Sequence, residues 1–140
     1  MYVIVVVDDS YGMMFNNRRL SKDKKLREKL LQKISGKVFR MNAYTASQFN
    51  DVSPNLAKII VDEDFLHHTE WGEFCFVEDK EILPFLDKIE EVWLCRWNRK
   101  YPSDFKLDMI PEQYGFILGA SDDFEGSSHK QITIERWMKE

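Results

Sequence analysis

Soft metal ligands are scarce in this chain. Two cysteines, Cys75 and Cys95, and three histidines, His67, His68 and His129, are all that its 140 residues contain. No CxxC pair and no Cys/His set with zinc spacing is present, which excludes a zinc finger or ribbon. His67 and His68, followed by Glu70, are the one metal-like fragment. On a strand, adjacent side chains face opposite ways and chelate poorly, so no metal site is expected. Both cysteines lie in apolar, strand-like runs and read as buried free thiols, which fits a cytoplasmic location. No apolar run approaches the roughly 18 residues that cross a bilayer. The opening MYVIVVV has no basic segment before it and is too short for a secretory leader. Basic charge is not in excess either. The net charge is −4, which argues against a general nucleic-acid binder. Internal repeats, low-complexity tracts and linkers are absent, so residues 1–140 are expected to form one domain. GxSxG, the Walker A loop and GxGxxG are missing as well.

What the chain does have is an alternation of short apolar runs and helical patterns. Residues 2–8, YVIVVVD, are continuously apolar, as expected of a central strand covered on both faces. Ser21 reads as a helix N-cap, with Asp23 adding negative charge in the first turn. Leu26, Leu30, Leu31 and Ile34 follow with helical spacing, and Gly36 stops the helix. Strands are expected at 37–41, 57–63, 73–77 and 91–97, a short helix at 44–49, and a helix at 78–89 that Pro84 shortens or kinks. Residues 114–121 and 130–138 read as an antiparallel pair. The early βαβ alternation predicts an α/β fold, a mostly parallel sheet with antiparallel C-terminal strands, flanked by helices.

The order of these elements, and several motifs, resemble the dihydrofolate reductase family. The apolar strand VIVVVDD leads into the loop SYGMMFNNRR and the turn LSKD at 20–23. GKVFRMNAYT at 36–45 stands where the family has Gly-Lys, a strand ending in Met, and Gly-Arg-x-Thr. EFCFVEDKEILPFLDKIEEVWLCRW at 73–97 stands where it has a strand, a Gly-Gly turn, a helix and a strand. The resemblance implies that Asp23 is the catalytic-site carboxylate that meets a pterin-like ring, and that Thr45 is the retained hydroxyl. It also marks departures on the cofactor side. Ala43 replaces the arginine, and Glu78-Asp79 replace the two glycines that let backbone approach a pyrophosphate. A segment between the third and fourth strands is also missing. These losses argue against classical NADPH binding, and no other cofactor is identified. DDSYGMMFNNRRLSKD and RWNRKYP also resemble a bacterial family sometimes labelled ribonuclease Z. Three scattered histidines cannot hold the two metals that such a hydrolase needs.

Two basic and aromatic clusters remain. Asn16, Arg18 and Arg19 lie in the first loop, and Arg96, Trp97, Arg99 and Tyr101 lie in RWNRKYPSD after the fifth strand. Both clusters leave the carboxyl ends of strands, where open α/β sheets gather ligands. Arginine forks suit phosphate or carboxylate, and aromatic faces suit a ring. The expected function is binding of a small anionic or heterocyclic ligand at a mouth formed by residues 9–23 and 96–104. An active reductase of a pterin-like substrate and a non-catalytic protein-interaction module are the alternatives. Membrane and nucleic-acid partners are not expected, and the oligomeric state is left open.

Overall fold

The computed structural model describes residues 1–51 and 57–140. Among the described residues ten strands form: β1 Tyr2–Val7, β2 Gly12–Phe15, β3 Arg18–Arg19, β4 Val38–Met41, β5 Lys58–Val61, β6 Phe74–Val77, β7 Glu91–Arg96, β8 Phe105–Lys106, β9 Phe116–Phe124 and β10 Ile132–Lys139. The helices α1 Lys24–Lys33, α2 Ala43–Ser47 and α3 Phe65–His68 accompany them. Seven strands make the main sheet, in the order β5-β4-β6-β1-β7-β10-β9. β1 runs parallel to both β6 and β7, and β4 runs parallel to β5 and β6. β10 is antiparallel to β7 and β9. The mixed sheet is therefore as expected from the sequence.

The central strand is apolar throughout because both faces are covered. Val3, Val5 and Val7 enter one core with Met13, Met14, Phe65 and Met109. Ile4 enters the other with Leu26, Leu30, Leu31 and Ile34 of the α1 region, and with Phe39, Phe76 and Trp97. Full burial of each such leucine contributes about 1.5–3 kcal/mol. The cysteines are free and buried in β6 and β7. Among the described residues, no helix is long and apolar enough to cross a membrane.

Several local expectations change. The N-cap of α1 is Asp23, whose side chain accepts from the Leu26 N–H, and Ser21 is not the cap. Asp23 is the last extended residue before the helix (φ −149°, ψ 120°), so its carboxylate lies over the first turn, where Ser127 Oγ also accepts from the Lys25 N–H. Asn42 caps α2 through the Thr45 N–H. Residues 78–89 are not one α-helix. Leu83–Lys88 form a 3₁₀ helix with Pro84 in its first turn, and the Asp108 carboxylate accepts from the Ile82 and Leu83 N–H groups. His67 and His68 lie on α3, not on a strand, and bond Asp64 and Asp62. No acidic, His and Cys cluster able to hold a metal occurs among the described residues.

Within the polar stretch 8–23, residues 12–19 form a β-hairpin. β2 pairs β3 on one side and β8 on the other. Asn16 (φ 51°) and Asn17 (φ 60°) form its two-residue turn, where consecutive positive φ angles match the twist of the strands and suit asparagine. Met13 and Met14 are buried beneath the hairpin, while Phe15 is exposed. Gly12 is required sterically, because a Cβ there would sit 2.5 Å from the Ser103 Cβ.

Candidate functional site

All the parallel strands end on one edge of the main sheet, and a cleft opens there. Val6 of β1 and Phe76 of β6 line its floor. Leu26 and Arg27 of α1 form one wall, with Phe49 beyond α2, and the segment Arg19–Asp23 forms the other. Trp97, immediately after β7, closes the back. The cleft encloses about 440 Å³, including open solvent at its mouth, but only about 30 Å³ is wide enough for the centre of a water molecule. In this conformation it is narrow and must widen to admit a ring.

The polar chemistry of the cleft is organised around Glu78 at the end of β6. Its Oε1 accepts from Thr45 Oγ1 at 2.7 Å, Gln48 Nε2 at 2.8 Å and Arg19 Nε at 3.1 Å. The Arg19 guanidinium also lies 4.0 Å from the centre of the Tyr44 ring. Its Nη2 is buried and has no hydrogen-bond partner among the described residues. Arg27 is only 7% exposed, and its Nη2 bonds Asp51 at 2.7 Å. Its Nε and Nη1 are buried with no partner among the described residues. An unmade bond at a buried donor costs about 1–3 kcal/mol, and more for a charged group. Arg19 Nη2 has only a long ion-pair contact, 3.9 Å to Asp79 Oδ2. With Arg27 Nε and Nη1 it makes three buried N–H-bearing atoms, on residues that line the cleft, without a hydrogen bond among the described residues.

Asp23 is 2% exposed, and its oxygens are heavily used. Oδ1 accepts from the Leu26 and Ser127 N–H groups, at 3.1 and 3.0 Å. Oδ2 accepts from the Ser128 N–H at 2.8 Å and Oγ at 3.2 Å, and lies 3.3 Å from His129 Nδ1. Burial works to raise the Asp23 carboxyl. The Ser127, Ser128 and Leu26 N–H groups and the His129 ring outweigh it and hold the group far below the usual carboxylate range. The carboxylate therefore stays ionised through the physiological range. His129 stacks on Trp97 with ring centres 4.2 Å apart, and its Nε2 lies 2.9 Å from Tyr101 OH and 3.2 Å from Ser21 Oγ.

Of the residues singled out in the sequence, Arg19, Asp23 and Trp97 line this cleft, and Thr45 reaches it through Glu78. Tyr101 stands one step behind, through His129. The two loop segments do meet: Asp8 Oδ2 accepts from the Tyr101 N–H, and Asp104 accepts from the Asn16 N–H. Their arginines do not converge. Arg96 bonds Glu135 of β10 and Tyr11 of the first loop, and does not line the cleft. Arg99 is exposed and lies over the Tyr101 ring. Arg18 lines a shallow outer groove with Tyr44 and Ser47, and Asn16 belongs to the hairpin turn. The facing cation is instead Arg27. Its signal was present in the sequence, since Arg27, Leu31 and Ile34 fall at i, i+4 and i+7 and place a guanidinium on the apolar stripe. Glu78 was legible only as a lost glycine, and His129 carried no local signal.

No family model matches the chain, and no curated protein sequence matches it. A solved structure does: dihydrofolate reductase from Enterococcus faecalis, complexed with NADP(H) and RAB-propyl, superposes with a TM-score of 0.64. The match covers 99% of this chain and 95% of that one, at 6% identity. The chain has a dihydrofolate-reductase-like fold.

Proposed function

We propose that this chain binds a small anionic heterocycle in the cleft between α1 and the segment Arg19–Asp23. The observation that carries the reading is Arg27, a nine-tenths buried guanidinium at the cleft wall with Nε and Nη1 uncommitted among the described residues. A buried cation with spare N–H groups is satisfied by a carboxylate or phosphate, to which a guanidinium presents two parallel donors. Phe49, Phe76 and Trp97 supply faces for a ring. Arg19 Nη2 adds a further donor. Asp23 we assign to holding the Ser127–His129 turn, because its oxygens already accept several hydrogen bonds.

The structurally similar reductase is complexed with NADP(H). The residues at the corresponding edge of this chain do not fit that dinucleotide. The α2 N-terminus is already capped, by Asn42 at the Thr45 N–H and by the Glu63 carboxylate at the Ala43 N–H, 2.8 Å away. Glu78 and Asp79 add two acids at the neighbouring strand end, where a pyrophosphate would meet like charge. Reduction with a nicotinamide cofactor is therefore not our reading of this cleft.

Calorimetric titration with folic acid, as an anionic heterocyclic probe, tests the proposal alongside NADPH. Saturable folic acid binding that weakens at least tenfold in Arg27→Ala, with no NADPH binding at micromolar concentration, is expected. Folic acid binding that is absent, or equal in the variant, contradicts the ligand reading. Micromolar NADPH binding contradicts the cofactor reading.

A further inference from the structure

Ser21, His129 and Asp23 form a hydrogen-bonded chain at the cleft mouth. Ser21 Oγ lies 3.2 Å from His129 Nε2, and His129 Nδ1 lies 3.3 Å from Asp23 Oδ2. Ser21 is half-buried and lines both the cleft and the outer groove, whereas the His129 side chain is 3% exposed. We propose that Ser21 is a nucleophile activated by His129, and that the cleft has acyl-transfer activity toward small esters. A serine hydroxyl is a poor nucleophile alone and gains reactivity from a base held in one tautomer by a third group.

The tautomer follows from the neighbours. An ionised carboxylate can only accept, so the Asp23 contact places the imidazole hydrogen on Nδ1. Nε2 then presents its lone pair to the two hydroxyls near it, Ser21 Oγ at 3.2 Å and Tyr101 OH at 2.9 Å. Ser128 Oγ, 3.1 Å from Nδ1, is on the carboxylate side and also reaches the Lys22 carbonyl. The imidazole cannot swing freely, because it stacks on Trp97 at 4.2 Å. Of the two hydroxyls at Nε2, only Ser21 lines the cleft. Tyr101 competes for the lone pair and holds the resting state.

The step balances without a cofactor. Ser21 Oγ bonds the acyl carbon while its proton passes to His129 Nε2. The ester C–O bond breaks, and the same proton goes to the leaving alkoxide, releasing an alcohol. Water then adds to the acyl carbon, giving its proton to Nε2, and Ser21 leaves as the acid is released and regains the proton. Arg19 and Arg27 line the same cleft, and Arg19 Nη2, 3.9 Å from Asp79 Oδ2, and Arg27 Nε and Nη1 make no hydrogen bond among the described residues. They favour acyl groups that carry negative charge and are the donors available to a developing oxyanion. Asp23 is a positioning residue, since it acts through His129. The inference shares the cleft of the ligand reading but does not need Arg27 to bind folic acid.

A fluorophosphonate probe, which forms an O–P bond to an activated serine and expels fluoride, tests it on the full chain. Labelling of the wild type should map by peptide mass to Ser21. It should vanish in Ser21→Ala, fall at least a hundredfold in rate in His129→Gln, and rise in Tyr101→Phe, where the competing hydroxyl is gone. Circular dichroism checks that each variant is folded. Ser21→Cys provides a second reading that does not depend on His129→Gln folding. The thiol it introduces should be alkylated by iodoacetamide at pH 7 at least tenfold faster than a free cysteine, while Cys75 and Cys95 stay unmodified. No adduct at Ser21 in the wild type, equal labelling of folded His129→Gln, or an ordinary thiol alkylation rate in Ser21→Cys overturns the proposal. Folic acid titration of the same variants separates this failure from failure of the ligand reading.

Discussion

The Asp23 carboxylate accepts a 2.8 Å hydrogen bond from the Ser128 backbone N–H across a sequence separation of 105 residues. This bond joins the start of the first helix to the turn between the last two strands. It ties Asp23, which lines the cleft, to the turn that carries His129. The residue that caps α1 is therefore also a residue of the cleft wall.

Loss of that carboxylate should cost stability in a pH-dependent way. A group whose folded pKa is depressed adds stability above its unfolded value, near 3.9, and loses it as pH falls through the lower folded value. Asp23 is such a group, and Asp8 is shifted in the same direction. For Asp8, burial opposes the shift, and the N–H groups of Tyr101, Gly12 and Ser10 outweigh it. Asp23→Asn should lose about 2 kcal/mol at pH 7, since an amide N–H then faces backbone donors. Its stability should also fall less steeply below pH 4 than that of the wild type. Urea unfolding at pH 7, 4 and 3 measures both quantities. An unchanged acid slope would remove Asp23 as the cause.

Gly126 is the steric partner of the same clamp. A Cβ there would lie 2.6 Å from Asp23 Oδ2 and 2.7 Å from the Ile132 Cδ1. Gly126→Ala should destabilise by about 1–3 kcal/mol through overpacking. Gly36→Ala meets no neighbour but must adopt φ +80°, so it should cost about 1–2 kcal/mol through backbone strain alone. Only the first should disturb the His129 ring resonances in NMR spectra.

Much of the architecture can be read along the chain because parallel strands buried on both faces are written as apolar runs, as in YVIVVV and FCFV. The hairpin at 12–19 is harder to see. Asn16-Asn17 is a turn signal, but it sits among charged residues whose polarity resembles a ligand loop. Charge alone does not tell which arginines share a cleft. Arg96 points to Glu135 because β10 lies beside β7, a pairing of residues far apart in sequence. Ser21 reads as a helix cap from local spacing, yet its hydroxyl is taken by His129, which only the tertiary fold brings near. Arg27, a cation on an apolar stripe, carries a signal in the sequence although it is not among the residues expected at the site.

The thiols should be silent in the native protein. Burial pushes the Cys75 thiol up to about 12 and raises the Cys95 thiol as well. Neither should react with a dithiobis-nitrobenzoate reagent at pH 8 within minutes. Both free cysteines should react once guanidinium unfolds the chain. Prompt native-state reaction would mean that the central strands open far more often than their packing allows.

The claim that a buried guanidinium at the cleft, with Nε and Nη1 unbonded among the described residues, receives an anionic heterocycle is tested most directly by following arginine Nε–H resonances during a folic acid titration. Arg27 Nε has no partner among the described residues, whereas Arg96 Nε already bonds Glu135 at 2.9 Å. The account predicts that the Arg27 Nε–H signal moves downfield and saturates with the binding isotherm while the Arg96 signal stays fixed. Saturable binding that leaves Arg27 unmoved, or no binding at all, would contradict it.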